Sequence, residues 1–187
     1  MTYHKPQTPR HAGHRVPDLT GHLLFWPIGI GGAVFDLWSK KAVFDWLPSL
    51  PGETYSIVEG YVHFILRVNA GAAFSMFFGQ RAFLTGISMA AFLVVIGIFL
   101  FSGIHRRIIQ FALGCMAAGI VGNLYDRAFN DGLVRDFIDV TIPIIGYNWP
   151  TFNIADSLLC IGVGLLIIAN LTAQADPAPA AQQTTAH

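Results

Sequence analysis

The chain has 187 residues, of which 53% are hydrophobic and 12% charged, with a formal net charge of zero and a mean hydropathy of +0.53. That is the composition of a membrane protein folded as one domain. Zero net charge excludes a bulk field that would draw nucleic acid or an acidic surface, so no nucleic-acid partner is expected. Cys115 and Cys160 both fall in apolar runs and read as small buried side chains, with neither disulfide nor metal spacing.

Residues 1–21 form a polar leader with Lys5, Arg10 and Arg15, and its histidines lack ligand spacing. No small-residue cleavage site follows, so the first apolar run reads as an anchor rather than a removed signal. A bilayer core of about 30 Å takes roughly 20 apolar residues as helix. The first such stretch is about Leu23–Leu47, interrupted by Asp36, Lys40, Lys41 and Asp45. An outward platform follows at about residues 49–81. Within it Tyr61–Val68 alternates apolar and polar side chains, the period of a strand, and Asn69-Ala70-Gly71 is a turn signal before apolar Ala72–Phe78. The second span, Ala82–Gly103, has no charge. His105, Arg106 and Arg107 separate it from a third, about Ile108–Phe129, which is apolar until Asn123. After an outward segment, Asn130–Pro150, comes the fourth, about Thr151–Leu171. Residues 22–172 thus read as a four-helix membrane domain, and residues 173–187, rich in Ala, Pro, Gln and Thr, as a disordered tail.

The bias of Lys and Arg in the leader and at Arg106 and Arg107 makes both cytoplasmic. Both termini then face inward. Arg67, Arg81 and Arg135 in the outward segments weaken this bias without reversing it. Trp46 and Trp149 fall at the outer interface and Trp26 near the inner one. The expected fold is all-α, four transmembrane helices carrying a small β-rich platform on the outer (periplasmic) side.

This topology brings the polar groups of separate helices to one depth. Asp36 and Lys40 lie four apart, on one face of the first helix. Gly119, Asn123, Asp126 and Arg127 share a face near the outer end of the third. Asn153 and Asp156 open the fourth, and Asp136 lies in the loop between. Ionisable groups at bilayer depth cost about 2.5–3.5 kcal/mol each on insertion scales, and such a cluster marks a functional site. Two carboxylates in a partly dry site resist double ionisation and share a proton. One member then takes a proton from water while the other polarises a carbonyl, with no metal, cofactor or nucleophilic side chain. No His/Cys/Glu ligand set appears, and Ser39, Ser75 and Ser157 lack a His partner.

Plainer readings stand beside these. Asp136 is also a candidate solvated loop acid, Asp36 and Lys40 a helix-holding ion pair, Arg127 a side chain reaching the headgroups and Asn69 a turn residue. Asp156 lies too far into its helix for a simple cap, where Asn153 or Thr151 serves better. A proton- or ion-coupled transporter using the acids as a relay is the competing class. It predicts a polar path continuing inward or inverted repeats, and neither is apparent. A membrane scaffold without activity is the third.

Four blocks resemble the lipoprotein signal peptidase (signal peptidase II) family. They are Asp36-Leu-Trp-Ser-Lys40, Asn69-Ala-Gly-Ala-Ala-Phe-Ser75, Gly122-Asn-Leu-Tyr-Asp-Arg127 with Val134-Arg-Asp136-Phe137, and Phe152-Asn-Ile-Ala-Asp156. The resemblance covers roughly Leu23 to Leu171. It implies an intramembrane aspartic endopeptidase of the bacterial inner membrane. Such an enzyme cuts signal peptides from prolipoproteins before a diacylglyceryl-modified Cys, needs no cofactor, meets membrane lipids and suffices as a monomer. It also implies that Asp136 and Asp156 are the catalytic pair. Asn69, Asn123, Arg127 and Asn153 then position substrate and dyad, Asp36 and Lys40 support them, and Gly119 lines the site. Two departures are Ala70, where a polar residue is common, and one extra residue between Arg127 and Asp136, which brings Asp131 into play.

Overall fold

A computed structural model describes residues 16–71 and 80–175. Four helices carry the fold: α1 (Leu19–Trp46), α2 (Arg81–Phe101), α3 (Arg107–Phe129) and α4 (Ile154–Ala175). Helix α1 starts four residues before the expected Leu23, because the Asp18 carboxylate accepts the Gly21 N–H at 2.9 Å and caps it. The same carboxylate pairs with Arg107 at 2.5 Å, tying the start of α1 to that of α3. The guanidinium, with the Gly21 amide, holds Asp18 far below the usual carboxylate range. Arg106 donates to the Ala169 carbonyl at 2.7 Å and binds the end of α4 to the same corner. Helix α4 starts at Ile154 rather than Thr151, since Thr151 and Phe152 finish a strand, and runs through Ala175, past the expected tail boundary at residue 173. The leader up to residue 15, the apolar stretch at 72–78 and the tail from residue 176 lie outside the described residues.

Helix α3 is the innermost element. Ala112, Gly114, Ala117, Ala118, Gly119 and Gly122 are all buried on it, and small side chains let neighbouring helices approach closely where lipid offers no hydrophobic drive to associate. A side chain at Gly119 would collide with the Ala155 carbonyl and Leu159 of α4, and one at Gly122 with the Asp36 carboxylate of α1. Helix α2 closes the bundle through Val95 and Phe99, with Phe99 stacked on Phe25 at 3.9 Å between centroids. Large apolar side chains, such as Leu23 and Ile30 on α1, Leu93 and Val94 on α2, and Ile167 and Ile168 on α4, stay exposed on the outside. Helices α2, α3 and α4 are long and apolar enough to cross a membrane. Helix α1, which carries Asp36, Lys40, Lys41 and Asp45, is not among these three. Its first two acid–base partners are fully buried and its last two pair on the exposed face at 2.7 Å.

The expected β-rich platform takes the form of a sheet. An antiparallel sheet of four strands, in chain order, joins β1 (Thr54–Val58), β2 (Val62–Asn69), β3 (Val134–Ile142) and β4 (Tyr147–Phe152). The expected platform strand is β2. Strands β3 and β4 lie in the segment read as a loop, so the platform draws on both outward segments. The alternation of β3 was hidden by a bulge between Ile138 and Val140, which swaps faces midway. The turn before β3 runs through Asp131 and Gly132, which take φ of 51° and 76°. The sheet rests on the C-terminal end of α1, where Phe137 packs with Val43 and Leu47.

Candidate active site

Beneath the sheet lies a buried charge network. Lys40 on α1 pairs with Asp36 at 2.8 Å and with Asp126 on α3 at 3.3 Å, all three side chains fully buried. It donates a further hydrogen bond to the Asn123 amide oxygen at 3.0 Å. Asp36 accepts the Ala155 backbone N–H at 2.8 Å, fixing the first turn of α4 against α1. Asp126 also receives Arg135 of β3, from its guanidinium at 2.6 Å and its backbone N–H at 3.0 Å. Two carboxylates thus meet two cations, and the buried charges cancel.

Arg135 has no role in the sequence reading. Strand β4 ends at Phe152, opposite Ile138, so the start of β3 lacks a neighbour on that side. Asp126 takes the Arg135 N–H there, and the Asn153 amide donates to the Arg135 carbonyl at 3.2 Å. The residue before Asp136 is therefore pinned at both backbone groups. A basic residue beside an acid in a strand carries no signal of this, because its partner lies on another element. Arg135→Gln is expected to cost about 1.5–3 kcal/mol of stability by removing the charged hydrogen bonds to Asp126, with partial recovery in Arg135→Lys. Thermal unfolding in micelles measures both.

Asp136 is buried on β3 rather than in a loop. Asn153 donates to it at 2.6 Å and to the Asn123 oxygen at 3.1 Å. Asn153 also caps α4. Its side-chain oxygen accepts the Asp156 N–H at 3.0 Å while Asp156 accepts the Asn153 N–H at 3.2 Å, a reciprocal capping box. Asp156 thus does take part in a cap, as the third residue of the helix, and its other oxygen accepts from the Asn123 amide at 2.7 Å. One asparagine touches both carboxylates, and a second links Lys40 to Asp156.

Burial, then the neighbouring Asp156, pushes Asp136 up to about 7, against the hydrogen bonds of Asn153 and Asn69 and the charge of Lys40. The folded protein therefore holds a proton that the unfolded chain, near the ordinary 3.8, releases. The contribution of Asp136 to stability is complete below 3.8 and is lost as pH rises toward 7. Unfolding temperature against pH is expected to fall across that window more steeply in the native protein than in Asp136→Asn.

These groups form the floor of a cavity of about 890 Å³ lined by Asn69, Asn123, Arg127, Asp136 and Asp156, with Asp139 and Trp149 toward the sheet. The Asn69 oxygen accepts the Gly71 N–H at 2.9 Å in a local turn, and its side chain also hydrogen-bonds Asp136. Arg127 points inward rather than to headgroups, donating to Ser88 at 3.3 Å, with Asp156 and Asp136 its foremost charged neighbours. Three readings change. Gly119 does not line the cavity; it is the close contact between α3 and α4. Cys160 is exposed and lines the cavity, while Cys115 is buried. Asp131 is exposed in its turn and is not part of the cavity lining. Among the described residues no group of three His, Cys, Asp or Glu is placed to hold a metal ion.

The family model described as signal peptidase (SPase) II matches residues 28–172. The chain is 40% identical over 160 residues to the lipoprotein signal peptidase of Rhodopirellula baltica, covering 79% of this chain and 71% of that protein. It is 38% identical over 155 residues to the lipoprotein signal peptidase of Synechocystis, covering 82% and 91%. A bacterial membrane enzyme solved by the in meso method superposes with a TM-score of 0.74 at 30% identity, over 88% of this chain and 96% of the other. A multi-pass membrane architecture with two carboxylates at one cavity, matched along most of its length by this set, belongs to the signal peptidase II family of peptidases.

Proposed function

We propose that this chain removes signal peptides from bacterial prolipoproteins as an intramembrane aspartic endopeptidase, cutting before a diacylglyceryl-modified Cys. The observation that carries the reading is the meeting of Asp136 and Asp156 around Asn153 at the floor of one cavity. Asp126 is not a member of the pair, because Lys40 and Arg135 already saturate it.

The chemistry follows from the placement. Asp136, dry and beside a second carboxylate, holds the shared proton near neutral pH and donates it toward the scissile carbonyl. Asp156 accepts a proton from the attacking water. The C–N bond then breaks as the leaving amine takes the proton from Asp156, while a hydroxyl of the tetrahedral intermediate returns its proton to Asp136 and becomes the new carboxyl's C=O, which restores the dyad. Asn69, Asn123, Arg127 and Asn153 hold the substrate backbone and the carboxylates, while Asp36 and Lys40 fix α1 against α4. The apolar exterior takes the signal helix and acyl chains. In this reading α1 is the fourth membrane span, with its charges buried against α3. Both termini are cytoplasmic in the inner membrane, the site lies near the outer face, and one copy suffices.

The test is incubation of the purified protein with a diacylglyceryl-modified prolipoprotein in micelles. Cleavage immediately before the modified Cys is expected, and unmodified substrate is expected to remain intact. A folded protein that leaves both substrates whole would overturn the proposal. The similarities to peptidases lend no support to the transporter class.

A further inference from the structure

From Val140 to Ala155 the chain contains no Asp, Glu, Lys, Arg or His. This stretch is the connection between β3 and β4, the strand β4 itself and the start of α4. At its tip Ile144 is 89% exposed and Ile145 69%, flanked by exposed Ile142, Tyr147 and Trp149. A turn facing water is ordinarily built from Gly, Pro, Asn, Asp and Ser. The other hairpin of this sheet fits that rule, with Glu59 and Gly60 at its tip. An apolar tip followed by aromatic side chains with polar edges is instead the pattern of a segment seated at a membrane interface.

The position of the hairpin supplies the occupant. Asn148 and Trp149 line the same cavity as Leu159 and Cys160. Those two residues lie about 9 Å along α4 by helical rise, within its membrane-crossing stretch, and Cys160 is exposed. The cavity therefore runs from the bundle's apolar flank up to β4, and the isoleucine tip ends four residues before Trp149. We infer that the β3–β4 hairpin inserts its tip, Ile142 to Ile145, into the acyl region of the outer leaflet beside the cavity mouth. The contact is with lipid, as a continuation of the apolar belt of the helices. It gives the sheet a second anchor besides its seat on α1, on the side of the exposed strand β4.

The test uses the full chain in liposomes of phosphatidylethanolamine and phosphatidylglycerol. The Ile144→Cys variant in a Cys115→Ala, Cys160→Ala background carries an environment-sensitive fluorophore, and Glu59→Cys in the same background is the reference. Lipids with a nitroxide on the acyl chain are expected to quench the probe at 144 about threefold more than aqueous iodide does, with the order reversed at 59. Iodide-dominated quenching at both positions would overturn the inference and leave the tip in water. Protection at 144 that ignores the nitroxide lipids and grows with protein-to-lipid ratio would also overturn it, assigning the tip to a second copy of the chain. Either result is independent of peptide cleavage.

Discussion

Asp136→Asn and Asp156→Asn, made separately, are each expected to reduce prolipoprotein cleavage by about 10²–10⁴-fold. The expectation rests on what an amide preserves and what it removes. At position 136 the side-chain oxygen still accepts from the Asn153 amide, so the local contact survives while the acid does not. At position 156 the carboxylate accepts from both Asn123 and the Asn153 N–H, and an amide has one oxygen for these two donors. Unfolding curves for both, taken beside the cleavage rates, separate a lost proton carrier from a lost fold. Native rates in either folded variant would remove that carboxylate from the mechanism. Asp126→Asn behaves differently: its loss of activity tracks its loss of stability, because its partners are the cations that hold β3 and α1 in place.

Lys40→Met is expected to destabilise the protein by about 3–5 kcal/mol, the cost of leaving a buried charge without its partner. Lys40 is fully buried between Asp36 and Asp126, and it also supplies the donor that orients Asn123. A methionine fills the volume and returns nothing to the two carboxylates. Removing Asp36 in the same chain (Asp36→Asn with Lys40→Met) restores part of the loss, since the pair is then replaced together. Chemical denaturation in mild detergent measures the series. A single Lys40→Met variant as stable as the native protein would show the network to be dispensable for folding.

The helices were legible in the sequence because long apolar runs have few alternatives in a membrane protein. All four were found, with ends displaced where a cap or a strand decided the boundary: Asp18 drew α1 outward, and β4 delayed α4. Much of the sheet was not legible. Strand β2 alternates cleanly, but β3 is bulged at the residues that matter and carries acids on it, which reads as loop. The candidate site was legible as a set of residues because separate helices each placed a polar group at one depth. Its wiring was not. Asn153 bonding both carboxylates, and Arg135 pinned by Asp126, are contacts between residues distant in sequence, and no local pattern announces them. Gly119 was misread for the same reason: a small residue one turn from Asn123 serves a cavity or a close helix crossing equally well until the neighbour is known.

The network around Lys40 has a bearing on how the chain is assembled in the bilayer. Helix α1 is the first to emerge during synthesis, yet Lys40 finds its Asn123 partner 83 residues later. Until α3 arrives, α1 carries a Lys–Asp pair with half its neighbours missing, and Asp36 lacks the Ala155 amide that α4 brings. Helix α2, with no charge beyond Arg81 at its first residue, can settle in lipid unaided. The first helix made is thus among the last to be secured. Order of insertion and order of consolidation run in opposite directions, and the completed cluster serves as the lock that records the arrival of the final helix.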